Sequence, residues 1–426
     1  MNARVVTSAS TKDADVLVIG AGVMGMTIAQ RLLEAGRSVL LVDPSEPGSG
    51  ASYGNAGTIA DYAIMPVGSP AVLRNLPALL FDKNSPLSIR RAALFTLAPW
   101  LVRFFFQSFP GATQANVQAL ANILADAAPR WRALAEQIGV QSLVRARGCF
   151  YLYEDLASFD RGKQDIAFRR SMGINGEMLS PQELGQLEPK LPEIGGGAAY
   201  FPDAIFLSDP GQVMARLSQF IQAAGVEFHQ AAALRIERQS GGVRVVLADK
   251  SIVRARQVVI AAGAHSRDLA KQAGDRIPLD TERGYHLEYD LAEPLLQRPA
   301  CANAQGFYMC PMTGRLRVAG TVELGGLSPT PSQHRLDTLE RGIQQYFPNL
   351  GKPSRTWLGF RPSIPDSRPV ISASRSGNDV VYAFGHGHIG LTLAPVTAAM
   401  VTALITGDTS PVSLEDFSAQ RFRGPF

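Results

Sequence analysis

A glycine-rich turn near the N-terminus has the spacing that binds the phosphates of a dinucleotide. Gly20, Gly22 and Gly25 form a GxGxxG motif that follows the apolar run 15–19 and precedes a helical pattern from Met26 to Ala35. In this motif the first glycine allows a tight turn, the second lets the backbone approach a pyrophosphate, and the third permits close packing of helix on strand. The N-terminus of the helix adds N–H groups and the positive end of its dipole. We therefore expect a dinucleotide at this turn, with a ligand-free glycine turn as the alternative.

An acidic residue and a second small-residue loop indicate which dinucleotide it is. The apolar run 38–42 ends in Asp43, whose carboxylate can accept hydrogen bonds from ribose hydroxyls and disfavours the 2′-phosphate of NADP. The segment 51–57, ASYGNAG, follows soon afterwards. An NAD enzyme normally continues with another strand–helix unit, whereas a long loop of Gly, Ser and Asn suits the larger FAD. An ordinary surface loop is the alternative.

Three apolar runs, at 15–19, 257–261 and 379–384, each end in a glycine-containing turn. They come from the beginning, the middle and the end of the chain. This pattern predicts one nucleotide-binding domain that is assembled from separated segments, with the intervening residues forming a second domain.

Composition excludes several other classes of protein. The 426 residues carry a net charge of +4, and they include neither a Lys/Arg tract nor a zinc-ligand pattern, so we expect no nucleic acid partner and no metal. Cys149, Cys301 and Cys310 are widely spaced and odd in number, which fits a reducing compartment. The polar N-terminus lacks the apolar core of a secretory signal, and no apolar run reaches the roughly 18 residues of a spanning helix. These features favour a cytoplasmic protein.

Four segments together resemble the FAD-dependent D-amino-acid oxidase superfamily, and within it the bacterial D-amino-acid dehydrogenases of the D-hydroxyproline dehydrogenase type. The segments are GAGVMG with Asp43, GASYGNAG at 50–57, VVIAAGAHS at 258–266, and WLGFRPSIPDSRPVIS at 357–372 followed by GHGHIGLTLAP at 385–395. They occur in the order that the superfamily has and span nearly the whole chain. The C-terminal pair is far more specific than the glycine motif.

The resemblance implies an α/β fold of two domains. One is a glutathione-reductase-like Rossmann domain for FAD, assembled from separated segments, and the other is a substrate domain with an antiparallel sheet and a helical insertion. The expected ranges are 14–70, 195–275 and 355–420 for the FAD-binding domain, 71–194 and 276–354 for the substrate domain, and 1–13 for a flexible N-terminus.

The resemblance also implies a reaction, the oxidation of a C–N bond with hydride transfer to flavin N5 and hydrolysis of the imine to a 2-oxo acid. The implied substrate is a D-amino acid, with cis-4-hydroxy-D-proline as one candidate. Glycine, sarcosine, an opine or another secondary amine would be alternatives within the superfamily. A non-catalytic FAD-binding subunit of a larger complex and an NAD-dependent dehydrogenase are the alternatives outside it.

One arginine and four further residues are candidates for the substrate side. Arg361, in GFRP, matches the superfamily's carboxylate-binding arginine, and a planar guanidinium can hold a carboxylate with two hydrogen bonds. The alternative for Arg361 is a structural salt bridge to Asp366. The other candidates for pocket walls or polar contacts are Tyr285, His286, Tyr308 and His388, each of which could instead have a structural role. His388 is favoured because its loop should adjoin the flavin.

The expected cofactor contacts follow the motifs, and we expect FAD to be held without a covalent bond. Cys310 lies in an apolar run and is expected to be buried rather than attached to the flavin. The turn 385–390 would stabilise negative charge at the flavin N1–C2 carbonyl. The expected contacts are Gly20, Gly22, Val23, Met24, Gly25, Asp43, Pro44, Ser52, Asn55, Ala56, Gly57, Ala262, Gly263, Arg361, Gly387, His388, Ile389, Gly390, Leu391 and Thr392.

Residues 71–109 form an apolar and basic insertion. It contains five basic residues against one acid, together with Trp100 and several phenylalanines, and its prolines predict helical pieces at 87–91, 92–100 and 101–106. A basic segment rich in aromatic residues can contact an anionic membrane surface, which would bring the enzyme to the inner face of the cytoplasmic membrane. The alternative is a helical insertion that packs on the substrate domain. The electron acceptor, whether quinone, oxygen or a partner subunit, stays open at this point.

Overall fold

The computed structural model describes residues 11–74 and 87–422. The strands are β1 (Thr11–Ile19), β2 (Val39–Asp43), β3 (Thr58–Ile59), β4 (Leu87–Ile89), β5 (Val144–Arg145), β6 (Cys149–Tyr153), β7 (Glu177–Leu179), β8 (Gly197–Phe201), β9 (Ile205–Leu207), β10 (Glu227–Gln230), β11 (Ala233–Gln239), β12 (Gly242–Leu247), β13 (Ile252–Ile260), β14 (Asp280–Asp290), β15 (Ala300–Ala302), β16 (Phe307–Met312), β17 (Arg315–Leu324), β18 (Arg355–Ser363), β19 (Val370–Ser374) and β20 (Gly377–Phe384). The helices are Val23–Glu34, Pro70–Arg74, Leu94–Gln107, Pro110–Leu124, Ala127–Gln137, Leu156–Ser171, Pro181–Leu187, Pro210–Ala223, Ser266–Gln272, Gln333–Tyr346 and Gly390–Thr406.

An eight-stranded sheet brings the three predicted apolar strands side by side. Its order is β10-β2-β1-β13-β12-β11, β20 pairs with the second half of β13, and β19 pairs with β20. The strands β1, β13 and β20 run parallel, with Ile19 opposite Ile260 and Ile260 opposite Tyr382. Because the second halves of these strands are covered on both faces, residues 16–19, 258–260 and 380–384 are continuously apolar rather than alternating. Their carboxyl ends meet at one edge of the sheet, which confirms that this layer is assembled from three distant segments.

The helix Gly390–Thr406 is part of the core of that layer. The segment 387–406 is long and apolar enough to cross a membrane by length and composition alone, and 67% of its most apolar window is buried inside the fold. It packs on the helices Val23–Glu34 and Ala127–Gln137. The apolar surface of this helix is therefore covered by the protein's own elements.

A nine-stranded sheet forms the second layer. Its order is β18-β14-β17-β16-β15-β6-β8-β7, and β4 pairs with the end of β17. Most of its pairs are antiparallel, as expected for the substrate domain. The helix Gln333–Tyr346 covers one face of this sheet, where its Leu339 and Ile343 share an apolar core with Leu287 of β14. The structure therefore has the expected two-domain α/β fold.

The division of the chain into domains stays a prediction, but three segments differ from the expected ranges. The strands β8 and β18 pair within the nine-stranded sheet, although 195–275 and 355–420 were expected in the FAD-binding domain. Residues 11–13 belong to β1 and pair with β13, whereas the sequence predicted a flexible terminus. Sequence patterns mark individual strands, but they do not tell which sheet a strand joins.

The insertion differs from its prediction in two places. Residues 87–89, predicted as helical, form β4 and pair with Val322–Leu324, where β17 extends beyond β16. The helix Leu94–Gln107 is continuous, although Pro99 was expected to break it near residue 100. Pro99 has no N–H, so the helix loses one backbone hydrogen bond there. The packing of Leu97, Trp100 and Phe104 on the fold holds the helix on both sides of this proline. Residues 75–86 of the insertion lie outside the described residues.

Candidate active site

The glycine motif forms a turn that only glycine can build. Gly20 has φ of +110°, and a Cβ there would lie 2.4 Å from the carbonyl oxygen of Ala261. A Cβ on Gly25 would lie 1.7 Å from the carbonyl oxygen of Gly20, so the helix packs directly on the turn. These contacts give the first and third glycines the positions that the motif requires.

Side chains from two neighbouring segments fix the start of the following helix. Asp43 accepts hydrogen bonds from the backbone N–H groups of Ala21 and Ser45, both at 2.8 Å. The Ser52 hydroxyl accepts the N–H of Val23 at 2.9 Å. A Cβ on Gly22 would meet only that hydroxyl, at 3.3 Å, so the backbone at this glycine can be approached closely by a ligand. The predicted carboxylate and the small-residue loop thus lie at the same turn.

A buried arginine fastens the loop 50–57 to the second layer. Arg317 is fully buried, and its Nη1 donates to the backbone carbonyl oxygens of Tyr53, at 2.9 Å, and Asn55. Its Nη2 donates to Glu288 at 2.7 Å. Although burial alone would raise the pKa of Glu288, Arg317 and Arg315 lower it to about 2. The motifs of the sequence do not reveal this pair, whose signal is the alternation of charged and apolar residues in β14 and β17.

His286 is a second anchor of the same loop. Its Nδ1 lies 3.1 Å from the carbonyl oxygen of Gly54, and its ring stacks on Trp357 with centroids 5.0 Å apart. A Cβ on Gly54 would lie 2.3 Å from the indole of Trp357, so the loop contacts the sheet at this glycine. Burial, with Arg317 adding to it, lowers the pKa of His286 to about 3. His286 is therefore neutral at pH 7 and positions the loop.

Strand register places several candidates on one face of the nine-stranded sheet. Trp357, His286, Ala319, Tyr308, Cys301 and Tyr151 are register partners across six adjacent strands. Because directly opposite residues point to the same side of a sheet, this row lies on the face that receives the loop 50–57. The structure thus brings His286 and Tyr308 to one face.

Tyr285 lies on the opposite face of the sheet from His286. It packs in the core beside Leu287, and its hydroxyl donates to Glu323 at 2.9 Å. Successive residues of a strand point to opposite faces, so one of two adjacent candidates had to point away. The expectation that Tyr285 lines the pocket is corrected to a structural role.

Arg361 lies over the backbone of the neighbouring strand. Its guanidinium carbon would be 2.3 Å from a Cβ on Gly284, and its Nη1 is buried without a hydrogen-bond partner among the described residues. The alternative salt bridge to Asp366 does not form, because Asp366 pairs with Arg421 at 2.8 Å and with Arg368. A half-buried guanidinium with such a nitrogen can donate hydrogen bonds to an anionic ligand.

The C-terminal turn brings His388 to the same place. The turn Gly387–Ile389 contacts β18, and Arg361 and Glu282 act electrostatically on His388. The pKa of His388 is lowered because the surrounding protein shields its ring from water. The charge of Glu282 raises this pKa and that of Arg361 lowers it. The turn 263–265, after Ala262, also contacts β18.

The remaining predicted contacts lie around these turns. The hydroxyl of Thr392 accepts the N–H of Ala60 at 3.0 Å, and the carbonyl of Leu391 accepts the indole N–H of Trp131 at 2.9 Å. Asn55 turns the loop, since its side-chain oxygen accepts the N–H of Gly57 at 2.8 Å. Cys310 is buried, in agreement with the expectation that it is a core residue.

The residues present fit an FAD cofactor. At the turn Gly20–Gly25 the backbone is open to a ligand that a Cβ would obstruct, and Asp43 lies beside this turn. The glycine turns 263–265 and 387–389 both contact β18, the strand that carries Arg361. Fold and site together define a two-domain oxidoreductase with a dinucleotide cofactor.

Known proteins that are similar to this chain are also FAD-dependent oxidoreductases or amino-acid oxidoreductases. The family model described as "DAO: FAD dependent oxidoreductase" matches residues 15–404. A D-amino-acid oxidase of Bradyrhizobium diazoefficiens is 34% identical over 96% of this chain and 98% of its own length. A D-amino acid dehydrogenase of Methylobacterium sp. is 29% identical over 96% of this chain and 99% of its own.

A solved structure shares the fold at lower identity. Glycine oxidase from Geobacillus kaustophilus superposes with a TM-score of 0.76 at 24% identity, covering 97% of this chain and all of that one. The chain belongs to the DAO family of FAD-dependent oxidoreductases. It is an enzyme, and FAD is its cofactor.

Proposed function

We propose that this enzyme oxidises a D-amino acid to the corresponding imine, which water hydrolyses to a 2-oxo acid. The observation that carries the proposal is Arg361, which lies where the two layers meet and has a buried guanidinium nitrogen without a partner among the described residues. A carboxylate is the ligand that satisfies both its charge and its geometry. The curated relatives, which are named for D-amino acids, support this choice of substrate.

The residues of the site would bind and orient the substrate. Arg361 holds the carboxylate, and the lowered pKa of His388 keeps its imidazole neutral at pH 7, so that it can accept a hydrogen bond from the amine. FAD, when bound, supplies the two-electron acceptor for the hydride that leaves Cα. The amine loses one proton as the C=N bond forms, and positioning alone can provide much of the acceleration.

Two substitutions of one residue test the role of Arg361. Arg361→Ala should keep FAD but lower kcat/KM roughly 30- to 1000-fold, because a charge-assisted two-point contact is lost. Arg361→Lys keeps the charge without the planar fork and should fall between Arg361→Ala and wild type. An unchanged kcat/KM in Arg361→Ala would remove this residue from the carboxylate site. Turnover of glycine or sarcosine alone would favour the secondary-amine alternative, and a flavin that nothing reduces would favour the subunit alternative.

We also propose that the enzyme is cytoplasmic and contacts the inner face of the cytoplasmic membrane, where quinone can accept its electrons. The helix Leu94–Gln107 packs on the fold through Leu97, Trp100 and Phe104. Its outward positions and the residues that follow are apolar and exposed, namely Phe95, Ala98, Pro99, Val102, Phe105, Phe106 and Phe109. Phe95 is 95% exposed and Phe106 is 61% exposed, which is unusual for phenylalanine.

The charge around this aromatic stripe (Phe95, Phe105, Phe106 and Phe109) suits an anionic surface. Residues 87–125 contain three arginines and no acidic residue. Co-sedimentation with vesicles of phosphatidylglycerol should therefore exceed that with phosphatidylcholine and should fall in Phe105→Ser/Phe106→Ser. Equal recovery of that variant and wild type with the anionic vesicles would contradict membrane contact. A dimer that the same substitutions dissociate would identify the stripe as an interface between copies.

A further inference from the structure

Glu282 is a buried carboxylate without a cationic partner. The acidic side chains that are buried among the described residues are Glu188, Asp209, Asp275, Glu282, Glu288 and Asp366. Each of the other five forms an ion pair with an arginine, at nitrogen–oxygen distances of 2.5–3.1 Å. Glu282 is only 3% exposed and forms no ion pair in the part of the chain that the structure describes. Because an unpaired buried charge destabilises a fold, we expect a ligand to supply the cation.

One oxygen of this carboxylate is held by the protein and the other is left for a ligand. Oε1 of Glu282 accepts a hydrogen bond from the hydroxyl of Ser363 at 2.7 Å. Oε2 accepts none from the described residues, and it is not one of their fully buried unpaired atoms, so it keeps accessible surface. Ser363 therefore fixes the orientation of the carboxylate while Oε2 stays available.

Glu282 lies beside the arginine that is proposed to hold the substrate carboxylate. Glu282 and Arg361 are register partners on β14 and β18, about 5 Å apart at the backbone, so both side chains lie on the face that receives the loop 50–57. The charge of Glu282 acts on both Arg361 and His388. Arg361 is half-buried, and His388 keeps accessible surface although protein surrounds it, so both border an internal space.

We propose that Glu282 binds the ammonium group of the substrate through Oε2 while Arg361 holds the substrate carboxylate. The site then takes an α-amino acid as its zwitterion, in which both charged groups are attached to the same carbon. Two opposite charges on adjacent strands, close together but not paired with each other, match that arrangement. This assignment rests on the proposed function, since it takes Arg361 as the carboxylate site.

The test compares amino acids with carboxylic acids that lack the amine. D-alanine is matched by propionate, and D-proline by cyclopentanecarboxylate. Dissociation constants of the amino acids come from the concentration dependence of flavin reduction in the holoenzyme without oxygen. Those of the carboxylic acids come from competitive inhibition of the same reaction.

Glu282→Gln should weaken the binding of the amino acids alone. This variant keeps the size of the side chain and an oxygen for Ser363 but removes the charge. The dissociation constants of D-alanine and D-proline should rise about 10- to 100-fold, because a hydrogen bond between charged groups is lost. The constants of propionate and cyclopentanecarboxylate should stay the same or fall, because one negative charge beside Arg361 is gone. Ser363→Ala keeps the charge but releases the carboxylate, and it should show the same selective loss to a smaller extent.

Glu323 provides a matched control on the neighbouring strand. It is the register partner of Arg283 and points to the opposite face of the sheet, where the two side chains pair at 2.7 Å. Glu323→Gln removes the same charge from the same sheet, so it should leave the ratio of the two kinds of constant unchanged. FAD content is measured for all three variants to confirm that they fold.

Three results would overturn the inference. These are unchanged binding of both amino acids in Glu282→Gln, tighter binding of them, and an equal loss for amino acids and carboxylic acids, which would indicate a structural role. Each of these leaves the proposed function intact, because the enzyme still oxidises D-amino acids. A flavin that no D-amino acid reduces would instead refute the proposed function itself.

Discussion

Adding one carbon to Gly284 would move the guanidinium of Arg361 without changing Arg361 itself. A Cβ at Gly284 would lie 2.3 Å from both Cζ and Nη1 of Arg361 and 2.4 Å from Nη2, whereas ordinary contact begins at 3.4 Å. In Gly284→Ala the guanidinium must therefore retreat by about 1 Å, a displacement that can cost on the order of 100-fold in rate. The displaced atoms are the end of a long side chain, so the backbone can keep its place.

The expected result is a selective loss of substrate binding. We expect kcat/KM for a D-amino acid to fall roughly 30- to 1000-fold, or about 2–4 kcal/mol, which is the cost of losing a charge-assisted two-point contact. FAD content and unfolding free energy should stay close to those of wild type. The assay is steady-state turnover with an artificial electron acceptor, together with the flavin absorbance of the purified protein.

Gly185→Ala is the matched control, because a Cβ on Gly185 would meet no atom within 4 Å. It should leave kcat/KM unchanged. If Gly284→Ala binds FAD and turns over as fast as wild type, Arg361 does not hold the carboxylate. If Gly284→Ala loses FAD instead, Gly284 supports the cofactor side of the site.

Three more perturbations address the cofactor turn, the anchored loop and acid stability. Gly22→Val should abolish FAD binding because its methyl groups fill the approach beside Ser52, and stoichiometric flavin in that variant would contradict the turn's role. Arg317→Met should cost about 1.5–3 kcal/mol in urea unfolding and weaken FAD binding, since it removes the hydrogen bonds to the loop and to Glu288, which stays paired with Arg315. Unchanged unfolding would show that the loop needs no anchor. His286 has a pKa of about 3 in the folded protein, against 6.5 in the unfolded chain. Below pH 6.5 the unfolded chain therefore binds one more proton than the folded protein, and the free energy of unfolding falls as the pH drops from 6.5 to 3. His286→Asn should flatten that slope in urea titrations at pH 7 and 4.5, and an unaltered slope would assign the acid sensitivity to other groups.

The sequence predicted the cofactor layer well because its signals are local. The strands β1, β13 and β20 end in the apolar runs 16–19, 258–260 and 380–384, and each run is followed by a glycine turn whose geometry only small residues tolerate. Helix caps are equally local, and Asp209 begins the helix Pro210–Ala223 by accepting the N–H of Gln212. Such features depend on a few neighbouring residues, so a single sequence contains them.

The substrate side of the site was harder to predict from the sequence, because its geometry depends on the register between strands that are distant along the chain. Tyr285 and His286 are neighbours in sequence, and only the pairing of β14 with β18 decides which of them faces the loop 50–57. The anchoring by Arg317 joins residues more than 260 positions apart. The helix was expected to break at Pro99 for a similar reason, since the packing of Leu97, Trp100 and Phe104 that holds it together is a tertiary property.

The proposed reaction is tested most directly by the visible spectrum of the purified enzyme without oxygen, recorded before and after single amino acids are added. We expect a flavin band that D-amino acids bleach and that their L-isomers leave unchanged. A flavin band that L-amino acids bleach, or that no D-amino acid bleaches, would contradict the proposed reaction.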